Sequence, residues 1–308
     1  MSGGAKLQSR DISSNTDQEF FICMLSYRHS FHAGNHGDVL KHWLLVATLQ
    51  YLNQKDKPYW YIDTHSGVGR YNVHTGDSQK NREHESGIQK LVELEGGRIK
   101  TWPESLRVYV DLVKEFNRQQ SLKVYPGSPF IAKTLTRPID RLRLFELHPV
   151  DSKKLSENFK ADTRTKVSSS DGLKGLKALL PPAERRGIIM IDPSYEVKAE
   201  YHWVINSLKD GLKRFQTGVF MLWYPLINTV DNIQFREKLE KFDQGKWLNL
   251  KLIVDNRTQV KGMFGSGVFL LNPPWSVVSE AQPVLQILKD CLAVEGCGDY
   301  LISSSGNL

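Results

Sequence analysis

The residues of this chain best suited to chemistry are carboxylates that close apolar runs. Ile188-Ile189-Met190-Ile191 ends on Asp192-Pro193-Ser194-Tyr195-Glu196, Tyr59-Trp60-Tyr61-Ile62 ends on Asp63, and Leu142-Arg143-Leu144-Phe145 ends on Glu146. A further run, Arg164 to Ser168, leads into Ser170-Asp171-Gly172. Such runs read as buried strands of a parallel sheet, and open α/β sheets bind ligands at the carboxyl ends of their strands. Taken alone, Asp192-Pro193 also fits an ordinary turn. Acidic ends on several successive strands favour a shared site.

That set of acceptors suits a ligand with an ammonium, a ribose diol and an exocyclic amine, because a carboxylate offers acceptor sites only. S-adenosylmethionine carries all three groups. Glu146 suits the ribose hydroxyls, and Asp171 reads either as a helix N-cap or as the acceptor for an adenine amine. Gly67 and Gly69 let the backbone approach a ligand closely. A nicotinamide dinucleotide would instead call for a Gly-x-Gly-x-x-Gly loop with an acidic residue about 20 positions further on. Here the loop is Asp63-Thr64-His65-Ser66-Gly67-Val68-Gly69, and a helical stretch separates it from Glu146.

Asp192 to Tyr195 then acquires a chemical meaning. Methylating an exocyclic amine requires its lone pair to leave conjugation with the ring. The Asp192 carboxylate and the Pro193 carbonyl can take the two amine protons while Tyr195 stacks on an extruded base. Attack on a sulfonium methyl is an in-line displacement that depends on positioning and asks for no metal.

The elements that must hold these residues alternate between strand and helix, which argues for a doubly wound α/β sheet. A helix over residues 37 to 54, capped by Asn35 or Asp38, turns Val39, Leu40, Trp43, Leu44, Ala47 and Leu52 to a core on one face and places Lys41 and His42 in its first turns. Asn72 to Gln120 is charged and helix-forming, with two or three helices packed beside the sheet. Ser128 in Tyr125-Pro126-Gly127-Ser128-Pro129 reads as a helix cap that can also touch a ligand. Pro149 opens the helix after Glu146. A helix from about Lys198 to Phe215 follows Asp192. Three more strands end at Pro225, Val254 and Leu271, and a last helix covers about Glu280 to Val294. Asn272-Pro273-Pro274-Trp275 superficially repeats the Asp192 tetrapeptide and reads as a turn. Met1 to Cys23 is polar and without periodicity, an extension or leader outside the fold.

Composition sets the class. With 41 Lys+Arg against 34 Asp+Glu the net charge is +7, which suits a polyanionic partner such as nucleic acid. Cys23, Cys291 and Cys297 lack metal-ligand spacing and fit free thiols in a reducing, cytoplasmic setting. No apolar run is long enough for a membrane span. His32 and His36 have i, i+4 spacing but no supporting ligands, so contacts to RNA, substrate or cofactor outweigh zinc.

The chain resembles the bacterial 23S ribosomal RNA adenine-N6 methyltransferases of the RlmJ type, within the class I S-adenosylmethionine-dependent superfamily. The resemblance rests on Leu25-Ser26-Tyr27-Arg28-His29-Ser30-Phe31-His32-Ala33-Gly34-Asn35-His36 with Asp38 to His42, Asp63 to Gly67, Tyr125 to Pro129 and Asp192 to Glu196. It implies a Rossmann-like, seven-stranded, mostly parallel sheet with helices on both faces. Residues 24–71 and 121–308 would form the core and residues 72–120 a small inserted helical subdomain. It further implies Lys41, His42, His65, Ser128, Glu146, Asp171, Gly172 and Asp192 at the cofactor, Asp192 as the catalytic residue, and Tyr27, Pro193 and Tyr195 at the RNA. The implied substrate is adenine 2030 of protein-free 23S rRNA, acted on by a monomer without an obligate protein partner. Ser194 departs from the family's Asp-Pro-Pro-Tyr and removes backbone rigidity beside the Pro193 carbonyl. Two other readings stay open: a DNA adenine-N6 methyltransferase, and a non-catalytic RNA-binding protein on the same fold.

Overall fold

Along the chain, α1 (His36–Asn53) leads to β1 (Trp60–Asp63) and β2 (Arg70–Asn72). The helices α2 (Glu83–Ser86), α3 (Ile88–Val92) and α4 (Glu104–Phe116) follow, then β3 (Val124–Pro126) and α5 (Ser128–Leu135). Strands and helices then alternate through β4 (Arg141–Phe145), α6 (Pro149–Phe159), β5 (Thr165–Ser168), α7 (Gly172–Leu179), β6 (Gly187–Ile191), α8 (Ala199–Arg214), β7 (Val219–Ile227), α9 (Val230–Glu240) and β8 (Trp247–Ile253). The chain closes with β9 (Met263–Leu271), α10 (Trp275–Leu292) and β10 (Asp299–Ser304). This computed structural model describes residues 31–74, 81–94, 100–256 and 262–306.

Strand residues alternate between two apolar cores. β6 sends Ile188 and Met190 to one core and Ile189 and Ile191 to the other, and β7 divides Val219 and Met221 from Phe220 and Leu222 in the same way. Successive side chains on a strand point to opposite faces, so both faces of the sheet are covered: α1, α4, α5, α6 and α10 supply the first core, and α7, α8 and α9 the second. Among the described residues the sheet has eight strands in the order β10-β8-β9-β7-β6-β1-β4-β5. β1 pairs in parallel with both β4 and β6, aligning Tyr61 with Leu142 and Ile188. The fold is the Rossmann-like α/β class expected, with one strand more than seven. The additional strand, β10, lies antiparallel on β8, and its apolar run is only Tyr300-Leu301-Ile302, with Leu301 and Ile302 exposed.

Two expectations are corrected by packing. α1 is buried all round from Gly37 to Leu49 rather than on one face, because α4, α5, α10, β7 and β9 all contact it. It therefore carries Asp38, Lys41 and His42 into the interior. The helices α2 to α4 do not lie beside the sheet: α4 packs on α1, and α3 packs on α4 and α10. The ribbon β2–β3, whose strands are too short to show a period, joins the ends of this helical stretch. α9 also escapes sequence reading because only Asn232, Phe235 and Leu239 are buried in it. No helix among the described residues is long and apolar enough to cross a membrane. Among the described residues, Cys291 and Cys297 form no disulfide, and Cys23 lies outside the described residues.

Candidate active site

β1 occupies the switch point of the sheet, with the chain passing from it to β4 on one side and β6 on the other, the place where α/β sheets open a crevice. The loop after β1 is stapled to both neighbours. Thr64 N–H donates to the Met190 carbonyl at 3.0 Å and Ser66 N–H to the Phe145 carbonyl at 2.8 Å. Gly67 follows at φ +57°, a conformation that favours glycine. Across the crevice, a Cβ on Gly172 would lie 2.2 Å from the Thr64 carbonyl oxygen, so only glycine lets α7 start this close.

On this side Glu146 and Asp171 stand at the strand ends. Glu146 accepts the Gly67 N–H at 2.8 Å through Oε2 and the His148 N–H at 2.7 Å through Oε1. Burial pushes its carboxyl up to about 7. Each oxygen retains acceptor capacity, which fits a diol. Asp171 is the N-cap of α7, accepting from Lys174 N–H at 3.2 Å, and remains partly exposed at the crevice, so both readings of it stand.

Asp63 does something else. It is 0% exposed, with Oδ2 accepting from the hydroxyls of Tyr61 at 2.6 Å and Ser128 at 2.7 Å and Oδ1 accepting from His65 N–H at 3.2 Å. Burial raises its carboxyl above the ordinary range. It ties β1 to α5 and offers no acceptor to a ligand. Ser128 is accordingly not the cap of α5, which is Gly127; its hydroxyl is committed to Asp63. His42, 1% exposed, has Nδ1 2.5 Å from the Tyr125 hydroxyl, which lies 2.9 Å from that of Tyr109. It stands in the wall behind the crevice rather than on its surface.

The other side is organised by charge. Lys41 Nζ forms an ion pair with Asp192 Oδ2 and a second with Asp38 Oδ1 at 2.8 Å. Burial would lower the Lys41 ammonium, but the two carboxylates outweigh it and hold the group above the ordinary lysine range. Asp192 lines a cleft of about 170 Å³ together with His32, Asn35, Lys41, Ser194, Trp223 and Pro225 among others. Lys41, expected at the cofactor, lies with Asp38 and Asp192 beside this cleft. His65 lies between the sides, its Nδ1 2.7 Å from Thr64 Oγ1 and 3.4 Å from the Asp192 amide nitrogen. Burial lowers His65 to about 4, which leaves it neutral near pH 7.

Tyr195 is corrected. Its ring is 9% exposed and stacked on Tyr201 at 4.8 Å between centroids, and its hydroxyl donates to the Trp223 carbonyl at 2.8 Å. In this arrangement it holds the turn instead of presenting a face to a base; the aromatic ring that lines the cleft is Trp223. His32 and His36 do not converge: His32 Nδ1 lies 2.8 Å from Glu83 Oε1, and His36 Nδ1 lies 3.2 Å from Ser266 Oγ. No cluster among the described residues could hold a metal ion. Tyr27 lies outside the described residues. Asp38, Trp223 and Glu83 were not anticipated as site residues, although the i, i+3 spacing of Asp38 and Lys41 on a helix was visible in the sequence.

Residues 56–303 match the family model described as ribosomal RNA large subunit methyltransferase D, RlmJ. The chain is 41% identical over 280 residues to ribosomal RNA large subunit methyltransferase J of Escherichia coli (strain K12), covering 91% of this chain and 98% of the relative. The Haemophilus influenzae protein of the same name is 40% identical with the same coverage. A crystal structure of a Legionella pneumophila protein matches with a TM-score of 0.81 at 36% identity, covering 90% of this chain and 99% of that one. The chain belongs to the RlmJ family of ribosomal RNA large subunit methyltransferases.

Proposed function

We propose that this protein transfers the methyl group of S-adenosylmethionine to the exocyclic N6 of an adenine in protein-free 23S rRNA. The observation that carries the reading is the gathering of chemically distinct groups at the carboxyl ends of β1, β4, β5 and β6. One side offers Glu146, Asp171 and the close approach of Gly172 to Thr64, which suits a ribose diol and an adenine. The other is a small cleft that ends on the Asp192 carboxylate.

The cofactor, when bound, supplies an electrophilic methyl on a sulfonium. The chain's own residues do the rest. Asp192 Oδ1 and the Pro193 carbonyl accept the two N6–H bonds, which draws the nitrogen lone pair towards the methyl. Lys41 fixes the Asp192 carboxylate through an ion pair to Oδ2. As the N–C bond forms, the S–C electrons return to sulfur, and the amine gives up one proton to the Asp192 side or to water. Trp223 walls the base pocket. Tyr27 is assigned to RNA contact, the helices between residues 72 and 120 act as an insertion in the catalytic core, and the protein works as a cytoplasmic monomer.

The test is transfer of labelled methyl from S-adenosylmethionine to protein-free large-subunit rRNA, with duplex DNA in parallel, comparing wild type and Asp192→Ala. Transfer to RNA by wild type alone is expected. Transfer to DNA in preference, or none by wild type, would sink the reading.

A further inference from the structure

Glu200 lies in the first turn of α8, 2% exposed, and among the described residues no cation is paired with it. Its hydrogen-bond donors instead come from the turn after Asp192. Oε2 accepts from Ser194 Oγ at 3.4 Å and from Val197 N–H at 3.3 Å, and the Tyr195 N–H also stabilises the ionised form. Glu200 N–H in turn donates to the Val197 carbonyl at 2.9 Å. A Glu reaching back over the first turn is what a capping box does, but a cap alone does not explain a third donor from Ser194 or the near-complete burial. Burial pushes this carboxyl up to about 7, as expected for an acid held without a counter-charge.

The turn it grips is one that would not hold itself. Tyr195 sits at φ +56°, in the left-handed region that aromatic residues rarely adopt. Its hydroxyl is pinned at the far end to Trp223. Between Asp192 and Tyr195, the position that stiffens a family member by a proline is here Ser194. A proline would restrict the residue before it, Pro193, to an extended ψ. Serine gives up that restraint and supplies a hydroxyl instead.

We infer that Glu200 is a positioning residue for methyl transfer: its carboxylate clamps the Asp192–Val197 turn through the Ser194 hydroxyl and the Val197 N–H, and so aims the Pro193 carbonyl at the target amine. The inference rests on the proposed amine methylation. Glu200 is not among the residues that line the cleft beside Asp192. In this chain, the clamp replaces the rigidity that a second proline would provide.

The experiment measures kcat for methyl transfer, cofactor Kd and Tm in wild type, Glu200→Ala, Glu200→Gln, Ser194→Pro, and Glu200→Ala combined with Ser194→Pro. Glu200→Ala is expected to lower kcat about tenfold to a hundredfold, the scale of a small misplacement of reacting groups. Cofactor Kd should stay within about twofold, because the cofactor side does not touch the clamp. Adding Ser194→Pro should restore most of the lost kcat, since the ring fixes the same peptide from within. Glu200→Gln, which preserves shape, covers the case in which the alanine variant does not fold, and the same rescue is expected. Unchanged kcat on loss of the carboxylate, or a loss that tracks Tm and cofactor Kd and is not rescued by Ser194→Pro, overturns the inference. Wild type without any transfer would overturn the function itself, a different outcome.

Discussion

Asp192-Pro193-Ser194-Tyr195 and Asn272-Pro273-Pro274-Trp275 are alike in sequence, each follows a buried strand, and each contains a left-handed residue, Tyr195 at φ +56° and Asn272 at φ +52°. Their chemistry differs completely. β6 runs parallel to β1 and delivers Asp192 to the crevice, where Lys41 meets it. β9 runs antiparallel to β7 and β8, so Asn272 emerges at the opposite end of the strands. There its amide donates to the carbonyls of Gln216 and Gly218 at 2.7 and 2.8 Å, and Trp275 is left 67% exposed. A four-residue pattern acquires a function from the direction of the strand that carries it. The tip with two prolines is the structural one.

That contrast can be broken by substitution. The largest effect is expected at Asp192→Ala, which removes the carboxylate proposed to face the reacting amine and should cut methyl transfer about a hundredfold or more in a steady-state assay. Lys41→Met comes next. It leaves Asp38 and Asp192 without their shared cation in a buried setting, and removing one partner of a buried pair costs about 3–5 kcal/mol, visible as a lowered denaturation midpoint. Asn272→Ala should behave oppositely to Asp192→Ala. It loses two hydrogen bonds and puts alanine at a positive φ, for a cost of about 2 kcal/mol, with kcat of the folded enzyme unchanged. A drop in kcat without a drop in stability would place Asn272 in the reaction and collapse the comparison.

The smallest effect sharpens the cofactor side. Burial places Glu146 at about 7, above its ordinary 4.5, so the folded protein binds its proton more tightly than the unfolded chain does. Its contribution to ligand-free stability is therefore present below about pH 4.5 and is lost as pH rises through 7. Cofactor affinity should run the other way, rising about tenfold between pH 6 and 8 as the acceptor ionises. Titration calorimetry across that range, repeated on Glu146→Gln, checks it. An affinity that is flat in wild type would remove Glu146 from the ribose.

The positions of Asp192, Glu146 and Asp171 at or just after strand ends were legible in the sequence because apolar runs and their terminal acids are local features. Asp63 shares a position with those acids but is sealed by Ser128, 65 residues away. Tyr195 likewise reads as stacked on a base, since nothing near Tyr195 reveals that Tyr201 occupies its face. The interior position of Lys41 depends on three helices and two strands closing around α1, a long-range event that the helical period of α1 does not encode. The edge strand β10 is hard to read for the reverse reason: a solvent-facing edge needs no long apolar run, and here it has only Tyr300-Leu301-Ile302.

The central claim is that Asp192 and the Pro193 carbonyl direct a methyl group to an exocyclic adenine nitrogen. Protein-free 23S rRNA incubated with labelled S-adenosylmethionine and enzyme, then digested to nucleosides and separated, tests this directly. Label is expected in N6-methyladenosine with wild type and none with Asp192→Ala. Label in a methylated cytidine or on a ring carbon, or an undiminished N6-methyladenosine peak from Asp192→Ala, would contradict it.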